Sequence, residues 1–228
     1  MHDPVHDKLQ KYFSGSKPLE FKRGETILRS DDEPQGVFYL ESGFVKMNSV
    51  FIDGRELTLN IFKPGTFFPM TWAIADIENT YYFMAMTPLV MKRMPKNEFM
   101  KFLNSNPEIL MDLTTRILVG LNGILTNIQH LLSGDSYHRV VSAILLSARR
   151  FGDHTNSDKV MVKIPLTHQD IADIAGITRE TASIAISRLI KEGIVSHHYR
   201  KMTINSLKKL EKESPISEEI INEGDPAI

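Results

Sequence analysis

Four consecutive residues, Thr178-Arg179-Glu180-Thr181, have the types and the order needed to read a nucleic-acid base pair. A threonine hydroxyl caps a helix well, which places Arg179 and Glu180 in the first turn of whatever helix follows. A guanidinium there pairs bidentately with guanine O6 and N7, and a carboxylate accepts from cytosine N4. Ser183 and Ile184 come one turn later and Arg188 one turn beyond that. Upstream, Thr167-His168-Gln169-Asp170 opens a second candidate helix, with Thr167 as cap and Asp170 three residues on to complete a capping-box-like start. A helix N-terminus and a histidine in its first turn both suit phosphate. Downstream, His198, Arg200 and Lys201 add polar and basic side chains near a predicted strand turn.

These residues need helices that meet closely. Ile171, Ala172, Ile174 and Ala175 supply an apolar face for the first, and Gly176 breaks it. Ile177 is a buried spacer, and Ala182, Ala185, Ile186, Leu189 and Ile190 form the inward face of the second, which Gly193 ends. Small Ala172, Ala182 and Ala185 permit close approach across a turn of about four residues, as a helix-turn-helix requires. Ile194-Val195-Ser196 and Lys201-Met202-Thr203-Ile204 then read as a two-stranded wing joined by His197-His198-Tyr199-Arg200. The competing assignment is an ordinary αα-hairpin with a charged cap. It leaves the agreement of cap, glycine, alanines, basic first turn and wing unexplained.

Charge points the same way. The 228-residue chain has a formal net charge of −1, but residues 135–212 hold 13 Lys and Arg against 8 acids, whereas residues 213–228 hold 5 acids and no base. A basic segment fits a polyanion partner; a solvated basic face would look the same. Other chemistries lack their residues. With no cysteine there is no disulfide, thiolate nucleophile or cysteine-bound cluster. No histidine lies between His6 and His130, which argues against a haem or a metal-dependent enzyme in that stretch. No nucleophile–base pair, metal-ligand cluster or phosphate loop is found, so neither an enzyme nor a cofactor is expected. The N-terminus lacks a secretory signal pattern and no apolar run of ~18 residues escapes polar interruption, so a cytoplasmic protein without a membrane span is expected.

The rest of the chain reads as support for this reader. Residues 1–16 predict a short helix with Val5, Leu9, Tyr12 and Phe13 on one face. From Pro18 to Met94, short apolar runs alternate with turn residues, as in an antiparallel sandwich or barrel. Asp53-Gly54 between Phe44–Ile52 and Leu57–Phe62 predicts a hairpin. A long helix is predicted from Pro107 to about Leu132. Leu110, Thr114, Ile117, Leu121, Ile124, Ile128 and Leu131 make a heptad seam with one polar member, and Met111, Leu118, Leu125 and Leu132 a second stripe. One stripe suits a second subunit while the other packs on the barrel; the alternative is a single helix buried within one subunit. Gly120 and Gly123 suggest close backbone approach. Ser133-Gly134-Asp135 breaks the helix, Asp135 caps the next, from His138 to Arg150, and Gly152 to Asp158 reads as a polar loop. The tail from Ser214 has a disordered composition.

Together these residues resemble the Crp/Fnr regulators. The likeness is carried by Leu166 to Ala172, Gly176 to Thr181, Ser187-Arg188-Leu189 and Lys191 to Ile194, and in the N-terminal half by Arg23-Gly24-Glu25, Phe38 to Gly43, Asp53 to Leu57 and Pro64-Gly65. The resemblance implies an α+β chain with an N-terminal antiparallel, jelly-roll-like β-roll of effector type (1–106), a long dimerisation helix (107–132) and a C-terminal winged helix-turn-helix (135–207), followed by a helix end and acidic tail (208–228). It also implies a homodimer on double-stranded DNA, half-sites about one helical turn (~34 Å) apart, and RNA polymerase as a partner. The alternative is a regulatory effector-binding module that acts through protein contacts.

Two departures stand out. Family members usually carry a second arginine five residues after the one resembling Arg179; here that position is Ile184, which either meets a thymine methyl or packs inward. Cyclic-nucleotide-binding members hold the ribose and phosphate with Gly-Glu and Arg-Ser pairs; the aligned positions are Pro69-Met70 and Asn79-Thr80. A cyclic phosphate would go without an arginine, so cyclic AMP dependence is not expected. Phe68, Met70, Trp72, Asn79, Thr80, Tyr82 and Ile124 remain as a candidate pocket for a hydrophobic or small organic effector, with ordinary barrel core as the alternative. His130 and His138 flank the break after the long helix, as pH-sensitive groups or surface residues. His197-His198 at the wing tip suits phosphate better than metal.

Overall fold

The computed structural model describes Lys8, Tyr12, Phe13 and residues 15–132, 134–153 and 158–214, except the side chains of residues 127, 130 and 131. Val5 and Leu9 of the predicted N-terminal helix, His130's side chain and the tail beyond residue 214 fall outside that set. The chain divides into two compact units, residues 1–49 with 60–118 and residues 50–59 with 119–228.

Among the described residues, eight strands build the N-terminal part: β1 (Pro18–Phe21), β2 (Thr26–Leu28), β3 (Val37–Ser42), β4 (Val45–Val50), β5 (Glu56–Phe62), β6 (Phe67–Phe68), β7 (Tyr82–Ala85) and β8 (Leu89–Met94). They form two four-stranded sheets, ordered β1-β8-β3-β6 and β2-β7-β4-β5. The continuous apolar run of β3 has a simple cause: both of its faces are covered. Phe38 and Leu40 join Val45, Phe68, Phe83, Leu89 and Met91 in one core. Val37 and Tyr39 join Phe13, Phe67, Phe99, Leu103, Ile109 and Leu113 in another. Gly43 makes the β3–β4 turn at φ +85°, where a Cβ would lie 2.5 Å from the Pro88 carbonyl oxygen, so no other residue fits.

To this part belong α1 (Met70–Ala75), α2 (Lys96–Ser105) and the long α3 (Pro107–Leu132). The bounds of α3 match expectation, but its packing does not. Both predicted stripes are largely exposed within one chain. Ile109 and Leu113, on a third line, are buried, as is Thr126. Leu110, Ile117, Leu121 and Ile128 are 38%, 41%, 50% and 45% exposed, and Met111, Leu118, Leu125 and Leu132 more so. Within one chain, Gly120 and Gly123 face open space rather than backbone. Pro107–Thr126 has the length and apolarity of a membrane-crossing helix, but by composition alone; the Asp112–Arg116 ion pair and hydroxyls of Thr114 and Thr115 lie along it.

The six pocket candidates in the first unit sit in different surroundings. Phe68 is fully buried and stacks on Phe83 at 5.1 Å. Met70 and Trp72 pack on the other core, with Lys96 Nζ 4.7 Å from the Trp72 ring. Asn79 is a buried loop clamp whose Nδ2 donates to the carbonyls of Arg29 (2.7 Å) and Tyr81 (2.9 Å). Thr80 is exposed, and Tyr82 is half-buried on β7. Ile124 falls in the second unit.

The C-terminal part contains α4 (Ser136–Phe151), α5 (His168–Ala175), α6 (Arg179–Lys191) and α7 (Leu207–Lys212). Its sheet is ordered β11-β12-β10-β9, from β9 (Gly152–Asp153), β10 (Val160–Val162), β11 (Val195–His198) and β12 (Lys201–Ile204). The predicted polar loop after residue 151 thus begins as a short strand. Helix α7 packs on α4 through buried Leu210 and an Arg149–Glu211 ion pair of 2.7 Å, so the fold of this part runs past residue 207.

Candidate nucleic-acid interface

Local sequence fixes both helices of the candidate reader. Thr167 Oγ1 accepts from the Asp170 amide at 3.1 Å, and the Thr167 amide donates to Asp170 Oδ2 at 2.9 Å, a complete capping box. Gly176 ends α5 in the left-handed conformation, φ +62°, which costs glycine nothing. Thr178 then caps α6, its hydroxyl accepting from the Thr181 amide at 3.3 Å. Ala172 and Ala182 are fully buried and Ala185 nearly so, letting α5 and α6 pack on each other and on α4. Asp135 caps α4 by accepting from the His138 amide at 3.1 Å, and the same oxygen lies 2.8 Å from His138 Nδ1.

Arg179 and Glu180 stand exposed in the first turn of α6. Ile184 is 74% exposed, which settles the earlier alternative: it does not pack inward. Glu180, Ile184 and Ser187 recur at helical spacing on the face opposite buried Ala182, Ala185, Ile186 and Leu189. Ile190 was expected inward but is 42% exposed. Ile177 is only half-buried.

Several candidate contacts are engaged within the protein. His168 Nδ1 lies 2.8 Å from Ser183 Oγ, and its ring stacks on His197 with centroids 5.1 Å apart. His197 Nε2 in turn donates to the Leu166 carbonyl at 2.8 Å. Burial pushes the His168 pKa down, and the neighbouring His197 and Arg179 push it further. His168 ties α5 to α6 and to the wing. Thr167 commits its hydroxyl to the capping box, and Gln169 Nε2 donates to Asp173 Oδ1 at 2.6 Å from an exposed position.

Arg188 also has partners within the protein. Its guanidinium lies over the Tyr137 ring at 4.0 Å, its Nε donates to Glu192 at 2.9 Å, and its Nη2 is 3.9 Å from Glu213. Tyr137 donates its hydroxyl to Glu213 at 2.9 Å. Arg188 therefore braces the far end of α6 against α4 and the segment after α7. Burial pushes the Tyr137 hydroxyl pKa up, and the hydrogen bond to Glu213 pushes it further.

The wing is tighter than its sequence suggests. His198 pairs with Lys201, so only Tyr199 and Arg200 form the turn, while His197 sits in the strand opposite Met202. His198, Arg200 and Lys201 are exposed around that turn. Tyr199, which is not among the sequence-predicted contacts, has φ +57° and is fully exposed at the tip. An aromatic residue between two exposed polar ones in a hairpin turn was the available signal. The described residues include no cluster of three or more metal-binding side chains.

Comparison with known proteins agrees with both halves. Residues 18–106 match the model of a cyclic nucleotide-binding domain, and residues 138–213 that of a Crp-like helix-turn-helix domain. The global nitrogen regulator of Synechococcus elongatus is 29% identical over 200 residues, covering 84% of this chain and 88% of that protein. The transcriptional regulator SdrP of Thermus thermophilus is 29% identical over 196 residues, covering 85% and 92%. A solved CRP/FNR-family transcriptional regulator of Thermus thermophilus superposes with a TM-score of 0.69 at 27% identity, covering 87% of this chain and 98% of that one.

Proposed function

We propose, from the membership of this chain in the Crp/Fnr family of transcription regulators, that it reads a two-fold symmetric operator as a homodimer. Sequence-specific DNA binding through its helix-turn-helix is the activity of that family. The observation that carries the reading is the capped first turn of α6, which holds Arg179 and Glu180 exposed beside a wing tip bearing His198, Tyr199, Arg200 and Lys201. Arg179 and Glu180 together suit one G·C pair.

A second copy of α3 is the cover that its two exposed stripes call for. A heptad seam of Leu110, Ile117, Leu121, Ile124, Ile128 and Leu131 suits a parallel two-stranded pairing. Gly120 and Gly123 face open space in one chain, which leaves room for the partner's helix. Such a pairing makes α3 an interface in a cytoplasmic protein rather than a membrane span. The exposed hairpin tip at 51–55, where Ile52 is wholly exposed, is a surface for RNA polymerase.

Cyclic AMP is not the signal in this reading. The position aligned with the family's phosphate-binding arginine is Asn79, and its amide is spent on the carbonyls of Arg29 and Tyr81. Selection of bound duplexes from a random pool tests the proposal. The expected product is an inverted repeat with half-sites about one helical turn apart, enriched equally with and without cyclic AMP. A single asymmetric half-site, or enrichment that needs the nucleotide, would overturn it.

A further inference from the structure

We infer that Ile184 reads the 5-methyl group of a thymine in the major groove, giving this protein a sequence preference set by an apolar contact beside its polar G·C reader. The inference rests on the DNA-reading role of α6. Four buried residues, Ala182, Ala185, Ile186 and Leu189, fix which side of α6 faces the protein. Ile184 lies on the opposite side, one turn after Glu180 and just short of one turn before Ser187. At 74% exposure it is the most exposed apolar side chain of α6. A large aliphatic group at this point gains nothing from the fold of its own chain and loses free energy to water.

The chemistry of the groove leaves one apolar partner. Guanine, cytosine and adenine present only hydrogen-bonding groups there, whereas thymine adds a methyl group. The reach is suitable. Four residues of helix rise about 6 Å, a little under two steps of ~3.4 Å along a DNA strand. The thymine therefore lies one to two base pairs from the pair that Glu180 faces. β-Branched isoleucine is stiff at χ1, so the contact is held in one direction rather than sought by a flexible chain.

The test removes the 5-methyl group from one side of the contact and the aliphatic side chain beyond Cβ from the other. From the duplex selected by the wild-type protein, each thymine is replaced in turn by deoxyuridine, which lacks only the 5-methyl. Dissociation constants are measured by fluorescence anisotropy for the wild type and for Ile184→Ala. At one thymine per half-site, one to two pairs from the G·C contact, wild-type binding to a half-site weakens about fourfold, the factor for one methyl-sized group returned to water. Ile184→Ala binds the two duplexes alike. As Ile184 is exposed, the variant melts with the wild type, and calorimetry checks this. Strong sequence preference with no deoxyuridine effect, an equal effect in both proteins, or no thymine at those positions would each overturn the methyl contact while leaving α6 as the reader. Absence of any sequence preference would overturn both.

Discussion

Arg179→Ala separates base reading from charge. Arg179 stands exposed in the first turn of α6, so truncation removes no buried contact and shifts folding stability by no more than about 0.5 kcal/mol. In a complex it loses a bidentate pair with guanine, about 1–3 kcal/mol of discrimination per half-site. A homodimer makes the contact twice, which gives about 2–6 kcal/mol, or a roughly 30- to 20,000-fold weaker dissociation constant. Specific binding in general exceeds non-specific binding by about 10³–10⁷, so the upper end of that loss abolishes recognition. The assay is anisotropy titration at one fixed salt concentration against the selected duplex and a scrambled one, because phosphate binding varies steeply with salt. The selected duplex loses affinity and the scrambled duplex stays within about threefold. An equal loss on both would show that Arg179 meets phosphate only, and the assignment of the α6 first turn to base edges would fall.

Three further outcomes follow from the geometry. Leu121→Glu places a charge in the exposed seam of α3; sedimentation should find a folded monomer with lost operator affinity, and an intact dimer would refute the seam. Thr167→Ala removes the capping-box hydroxyl and should cost about 1 kcal/mol by denaturant titration, with Thr167→Ser restoring most of it; unchanged stability would refute the cap's role. His168 has a folded pKa below its ordinary value of about 6.5, through burial and then His197 and Arg179. The unfolded chain then binds more protons between the two values, so stability is full above about pH 6.5 and declines as pH falls through that window. Calorimetry from pH 8 to 5 should show the decline, flattened in His168→Gln; an unchanged slope would remove His168 as its source.

The features that were legible in the sequence are those that local interactions decide. Asp135, Thr167 and Thr178 cap their helices within three residues, Gly176 ends α5, and Pro107 opens α3, so these boundaries follow from neighbouring residues alone. The helix-turn-helix was readable because its cap, break and small residues all fall within Thr167–Gly193. Partners distant in sequence decided the rest. Arg188 meets Tyr137, 51 residues before it, and Glu213, 25 residues after it. His197 turns inward because strand register puts the turn at Tyr199-Arg200, a choice that a one-residue slip would reverse. Periodicity showed that α3 carries two apolar stripes, but Ile109 and Leu113, which form neither, are what the sheets bury.

The His168–Ser183 bond and the His168–His197 stack join the positioning helix, the reading helix and the wing at one point. At the other end of α6, Arg188 is held by Tyr137 and Glu213. A helix pinned near both ends behaves as a printing block: what it prints is fixed when the domain folds. Any control over this protein must then work by moving the block, or by setting the distance between two of them, and not by recutting the type. Operator choice and operator occupancy become separable traits, the first altered by changes on the exposed face of α6 and the second by changes anywhere that shifts the block.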